Sequence, residues 1–147
     1  MEGLLQGSAG GQPPITRAFR AHPAALHEIR RFLRDLAIGA GLPDEWLEDV
    51  VLAVSEACAN VIVHTNTAKV VVTCRFSPMS ADVEVRDRGV YRPNAPGHDN
   101  EGEARRGIPL MIALMDEVTI REGTSARPGT VVRLVKSQPR RTRDGAA

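Results

Sequence analysis

The sequence predicts a two-layer α/β sandwich: a mixed, mainly antiparallel sheet covered by helices on one face. Three observations point there. Val50 to Val63 reads as a helix that is apolar nearly all round, with only Ser55, Glu56 and Asn60 polar, so it is buried on most sides. Val70, Val72, Cys74 and Phe76 alternate with period two. Val83 and Val85 do the same, with Asp82, Glu84 and Arg86 on the opposite face, so one face of the sheet is wet. At 147 residues, 42% hydrophobic and 25% charged, the chain has the length and composition to bury a core without cross-links.

The elements follow in order. Met1 to Pro14 is rich in Gly, Ser, Gln and Pro and reads as a mobile arm, with the folded domain spanning 15–136. Ile15 to Arg20 suits a first strand. His22-Pro23 opens a helix with Leu26, Ile29, Leu33 and Leu36 at helical spacing, and Gly39 and Gly41 end it. Pro43 suits the first turn of the second helix, which runs to about His64. After the two alternating strands, Arg88 to Ala104 is dense in Gly, Pro, Asn and charge and too long for a plain hairpin, so it reads as a mobile loop. A short helix from about Gly107 to Leu114 follows. Val118 to Arg121 and Thr130 to Val135 complete the sheet, and residues 137–147, with Arg140, Arg141 and Arg143, form a solvated basic tail.

Composition narrows the partners. A formal charge of +1 supplies no overall field toward nucleic acid or an anionic membrane, so recognition must be local. Two cysteines, Cys58 in the apolar helix and Cys74 in an apolar strand, suit reduced core residues and a cytoplasmic setting. No apolar run approaches the roughly twenty residues of a membrane span, and no secretory signal pattern stands at the start, so the expectation is a chain neither exported nor inserted.

The residues able to carry chemistry are few. Glu56 and Asn60, four apart, stand one turn above each other on one flank of a buried helix. Such a pair needs a ligand, a metal ion, or a local cap or backbone bond to offset the loss of water. Asp87 is in phase with Val83 and Val85 and therefore faces the helix layer. Gly89 follows where a missing side chain lets a flat group approach, or simply completes a turn. Arg105 and Arg106 precede Gly107 and Ile108, and Pro109 belongs in a first helical turn, so free amides, dipole and guanidinium groups make a phosphate seat. Surface arginines would look the same. Gly129-Thr130 opens the last strand, where the hydroxyl bonds a ligand or caps the turn.

Order and combination make a resemblance specific. Ser55-Glu56-Ala57-Cys58-Ala59-Asn60 with His64 resembles the first signature box of the GHKL, or Bergerat-fold, histidine kinase-like ATPase superfamily. Val85-Arg86-Asp87-Arg88-Gly89 resembles the second, Arg106-Gly107-Ile108-Pro109-Leu110 the third, and Pro128-Gly129-Thr130-Val131 the last. The short chain and the segment Met111 to Val118 look most like the anti-sigma factor serine/threonine kinases. The resemblance implies ATP and Mg²⁺ as cofactors, with Asn60 as the metal ligand and Glu56 as the general base for a partner's serine hydroxyl. It implies that Asp87, Gly89 and Thr130 hold adenine, that the Arg88 to Ala104 loop is a lid, and that Arg105, Arg106, Gly107 and Ile108 lie at the phosphates. The implied partners are a sigma factor and an anti-anti-sigma (STAS-domain) protein, with no direct contact to nucleic acid or membrane, and a homodimer is compatible. Two positions depart from the pattern, Tyr91 and Arg105, where glycines are usual. They define an alternative, a partner-binding anti-sigma module with a degenerate nucleotide site. A detached histidine kinase ATPase module fits less well: His22, His27, His64 and His98 form no phosphoacceptor helix pair.

Overall fold

The computed structural model describes residues 13–90 and 100–137, with side chains from 107 onward in the second stretch. The arm before residue 13, the loop positions 91–99 with Tyr91 and His98, and the basic tail from residue 138 lie outside the described residues. Strands β1 (Ile15–Arg20), β2 (Lys69–Ser77), β3 (Ser80–Asp87), β4 (Glu117–Glu122) and β5 (Thr130–Ser137) form one sheet in the order β1-β2-β3-β5-β4. The sheet expected to be mixed and mainly antiparallel is antiparallel at all four pairings. Helices α1 (Ala25–Ala40), α2 (Asp44–His64) and α3 (Asn100–Leu114) complete the fold. No helix among the described residues is long and apolar enough to cross a membrane.

The two periodicities meet in a single core. Phe19, Val70, Val72, Cys74, Phe76, Val83, Val85 and Leu134 bury one face of the sheet against Ile29 and Leu33 of α1, Val50, Val54 and Cys58 of α2, and Met111 of α3. Removal of this apolar surface from water is the main stabilising term. Cys58 and Cys74 are buried and unlinked, and burial pushes both thiols up to about 12, which keeps them protonated core residues. The opposite face of the sheet stays wet, as the alternation requires. There Arg133 grips Asp82 through two bonds of 3.0 and 2.6 Å, and the Thr16 and Thr73 hydroxyls meet at 2.8 Å.

Local chemistry explains the helix ends. Gly41 adopts φ 79°, the left-handed geometry that closes α1, and its N–H donates to Ile38 O. Gly39, expected to help end that helix, lies inside it. Pro43 stands at the N-cap of α2, just before Asp44 and Glu45, whose charges suit the helix start.

The third helix corrects the sequence reading. It begins at Asn100, not at about Gly107, so Gly107 and Pro109 lie in its interior and the loop expected to run to Ala104 is shorter. An interior proline deletes one backbone bond, here the one that the Arg105 carbonyl would accept, and costs about 3 kcal/mol or more. Compensation comes from packing: α3 lies along α2, with Gly107 and Met111 buried and Pro109 turned to solvent.

Candidate functional site

Helix α2 carries the centre of the site. Its Val50, Val54, Ala57 and Val61 are in the core, which leaves Glu56 and Asn60 half-buried on the flank toward α3. Gly107 is what they face. A methyl group on Gly107 would stand 3.0 Å from Glu56 Oε1 and 3.2 Å from Asn60 Nδ2, so glycine permits the close approach of the two helices over this pair. On the other flank, Arg30 of α1 donates from Nε to the hydroxyl of buried Ser55 at 3.2 Å, tying α1 to the residue before Glu56.

The second half of the site lies at the end of β3. Asp87 is in phase with Val83 and Val85, as the alternation predicts, and is only 4% exposed. Its Oδ1 accepts the Gly89 N–H at 2.8 Å, while Oδ2 is buried with no hydrogen-bond partner among the described residues. Burial pushes the Asp87 carboxyl above its ordinary value, and the Gly89 N–H partly opposes that rise. A buried carboxylate oxygen left bare is costly unless a donor comes to it. Thr130 stands directly opposite Asp87 in the β3–β5 register. The preceding Gly129, at φ 132°, lies so close to the Asp87 carbonyl that no side chain fits.

Gly89 is equally confined. A methyl group there would meet the Thr67 amide nitrogen at 2.7 Å and the Thr65 hydroxyl at 2.9 Å. Backbone cannot yield as a flexible side chain can, so Gly89→Ala is expected to destabilise the fold by about 1–3 kcal/mol, read from the urea midpoint at unchanged slope.

The structure thus joins Glu56, Asn60 and Gly107 at the α2–α3 contact, and Asp87, Gly89 and Thr130 at the ends of β3 and β5. The Thr65–Thr67 loop that follows α2 bonds to the residues after Asp87, so the two groups adjoin through α2. It does not present Gly107 and Ile108 as a free helix start, because both are interior to α3, and this corrects the expected phosphate seat. The side chains of Arg105 and Arg106 fall outside the description. His64 is buried and His27 exposed. The sequence reading missed Arg30, Thr65, Asn66 and Thr67. The Thr-Asn-Thr run after a helix was the available signal, since those residues bond backbone in turns.

Among the described residues no group of three or more His, Cys, Asp or Glu could hold a metal ion. A metal bound mainly through phosphate would ask little of the protein. One amide oxygen from Asn60 would be the protein's share of an Mg²⁺ shell otherwise filled by phosphate and water. The bare Asp87 oxygen would suit an amino-group donor such as that of adenine, but the place of the missing Gly89 side chain is filled by the Thr65 hydroxyl and the Thr67 amide, which corrects the expectation that it leaves room for a flat ring.

Residues 19–136 match the family model of the histidine kinase-like ATPase domain. Among curated relatives, the serine-protein kinase RsbW of Bacillus licheniformis is 32% identical, over 68% of this chain and 73% of its own length. That of Bacillus subtilis is 29% identical, over 68% and 72%. The crystal structure of the RsbU and RsbW domains of Rv1364c from Mycobacterium tuberculosis shares the fold, with a TM-score of 0.66 at 24% identity over 88% of this chain. This chain spans about a third of that protein (34%). The matched span, the open antiparallel sheet and the ordered boxes agree: the chain belongs to the histidine kinase-like ATPase domain family, on its branch of RsbW serine-protein kinases.

Proposed function

We propose that this protein is an ATP-binding anti-sigma factor that phosphorylates a serine of an anti-anti-sigma (STAS-domain) protein. The observation that carries the reading is the convergence of Glu56 and Asn60 on Gly107, a carboxylate beside an amide where α2 and α3 touch. Phosphoryl transfer asks little covalent chemistry of the protein and depends on positioning and charge. Asn60 would hold Mg²⁺ on the triphosphate, and Mg²⁺ when bound would neutralise phosphate charge. Glu56 would take the proton from the serine hydroxyl as it attacks. Asp87 Oδ2 would accept from the adenine amino group, with Thr130 beside it across the strands. Arg105 and Arg106 would meet phosphate from the first half of α3. Among the described residues no helix covers the outer, charged face of the sheet, which would serve contact with a sigma factor or a second copy.

A second reading has its own observation. Gly107 and Ile108 are helical interior residues here, so a partner-binding module indifferent to nucleotide would need no rearrangement of α3. The two readings separate in one assay: the protein, Mg·ATP labelled at the γ-phosphate, and a cognate STAS-domain partner. Label on a partner serine supports the kinase. A stable complex with no label and no response to nucleotide supports the module.

A further inference from the structure

We infer that Asn66, outside every signature box, is a positioning residue that fixes the orientation in which the Asp87 carboxylate faces the bound nucleotide base. The inference rests on the nucleotide-binding reading above and adds a specificity-determining residue to it.

Asn66 is exposed and lies in the short loop between α2 and β2. It holds Val90 at two points. Its side-chain Oδ1 accepts the Val90 N–H at 2.8 Å, and its own N–H donates to the Val90 carbonyl at 3.2 Å. Val90 is 53% exposed, so these two bonds, and not burial, fix its place. The loop that offers them is itself fixed. The Thr65 hydroxyl donates to Val61 O at 2.8 Å and accepts the Thr67 N–H at 3.2 Å.

Gly89 sits between Asp87 and this bridge, with the Thr65 hydroxyl and Thr67 amide packed where its side chain would be. That packing limits how Gly89 can turn, and its N–H points to Asp87 Oδ1. The terminal torsion of an aspartate is soft and roughly two-fold, so nothing in the side chain itself distinguishes its two oxygens. The Gly89 N–H makes the distinction, by engaging Oδ1 and leaving Oδ2 bare and buried. Thr65 and Thr67 confine Gly89 by packing, and Asn66 holds the next residue, Val90, by hydrogen bonds. Without the Asn66 acceptor the Gly89–Val90 peptide is less held, glycine's free torsions let that slack reach the preceding Arg88–Gly89 peptide whose N–H engages Oδ1, and the carboxylate can then rotate, so that a base is no longer met by one oriented acceptor. Adenine presents a 6-amino donor where guanine presents a 6-oxo acceptor, so adenine should lose more than guanine when that acceptor is no longer oriented.

The test uses the full chain and calorimetric titration with Mg·ATP and Mg·GTP. Asn66→Ala is expected to weaken ATP about tenfold, with GTP changed less than threefold, so the preference for adenine falls. Asn66→Asp keeps the Oδ1 acceptor and is expected to restore the preference to within about threefold of the parent. A thermal midpoint lowered by Asn66→Ala with the ATP to GTP ratio unchanged would make Asn66 merely structural and overturn the inference. Failure of Asn66→Asp to restore the ratio would overturn it as well. The unsubstituted chain separates the two levels. If it binds neither nucleotide, the nucleotide reading falls and this inference with it; if it prefers ATP and the ratio ignores Asn66, only this inference falls.

Discussion

Replacing Glu56 by Gln is expected to cut serine phosphorylation of the STAS-domain partner by about 10²- to 10⁴-fold, the usual worth of a positioned general base. Gln keeps the size of the side chain and an acceptor oxygen but has no useful basicity, so the packing against Gly107 survives. Nucleotide affinity is expected to stay within about threefold of the parent, because in this reading Glu56 acts on the incoming hydroxyl. The measurement is transfer of labelled γ-phosphate, set beside calorimetric titration with Mg·ATP. Transfer within threefold of the parent would remove Glu56 from the chemistry and return the question to what Asn60 and Gly107 enclose.

Asp87→Asn is expected to separate binding from stability in the other direction. The introduced amide can still accept the Gly89 N–H through its oxygen, but it places an NH₂ where the bare Oδ2 stood. Two donors would then face each other at the adenine amino group, and binding is expected to weaken by about a hundredfold or more. For the parent, nucleotide at about a hundred times its dissociation constant adds about 2.7 kcal/mol, several degrees in the thermal midpoint of a domain of this size. That shift should vanish in the variant.

Stability without nucleotide should not fall. The folded-state pKa of Asp87 is raised, chiefly by burial, so the folded protein takes up this proton more readily than the unfolded chain. The ionised carboxylate therefore costs stability above that raised pKa, and the cost is relieved as pH falls through it toward the ordinary aspartate value of about 3.9. Asp87→Asn is expected to be at least as stable as the parent near pH ~7, with an advantage that shrinks toward pH ~4. Urea midpoints across this range check the sign. A variant that is less stable at neutral pH would mean that Asp87 is held by favourable partners and is not waiting for one.

The strands and the two long helices were legible because a single force set their pattern. Val83, Val85 and Asp87 alternate into the core in the register that the sequence implies, and α2 is apolar on the sides that it buries. The start of α3 was not legible. Pro109 and Gly107 are local signs of a helix beginning, worth about 3 and 1 kcal/mol against an interior position. What overrides them is tertiary: Met111 in the core and Gly107 against Glu56 and Asn60, contacts between residues about fifty apart in the chain. The site divides the same way. Glu56, Asn60, Asp87 and Thr130 could be found by phase and motif. The Thr65–Thr67 loop left only a turn signal without a partner, because a run of small polar residues is the same in sequence whether it bonds water or the backbone of Val90.

The placement of Glu56 and Asn60 on α2 has a consequence for how this pair can be lost. Nearly half of that helix is buried, including Val50, Ala53, Val54, Ala57, Cys58 and Val61 of the core. Its amides should therefore be among the last to exchange with solvent, opening only when the whole domain opens. No partial unfolding could disorganise this pair and leave the rest of the molecule native. Heat or denaturant should then disorganise this pair only at the global transition, later than a contact carried by an exposed loop such as that of Val90.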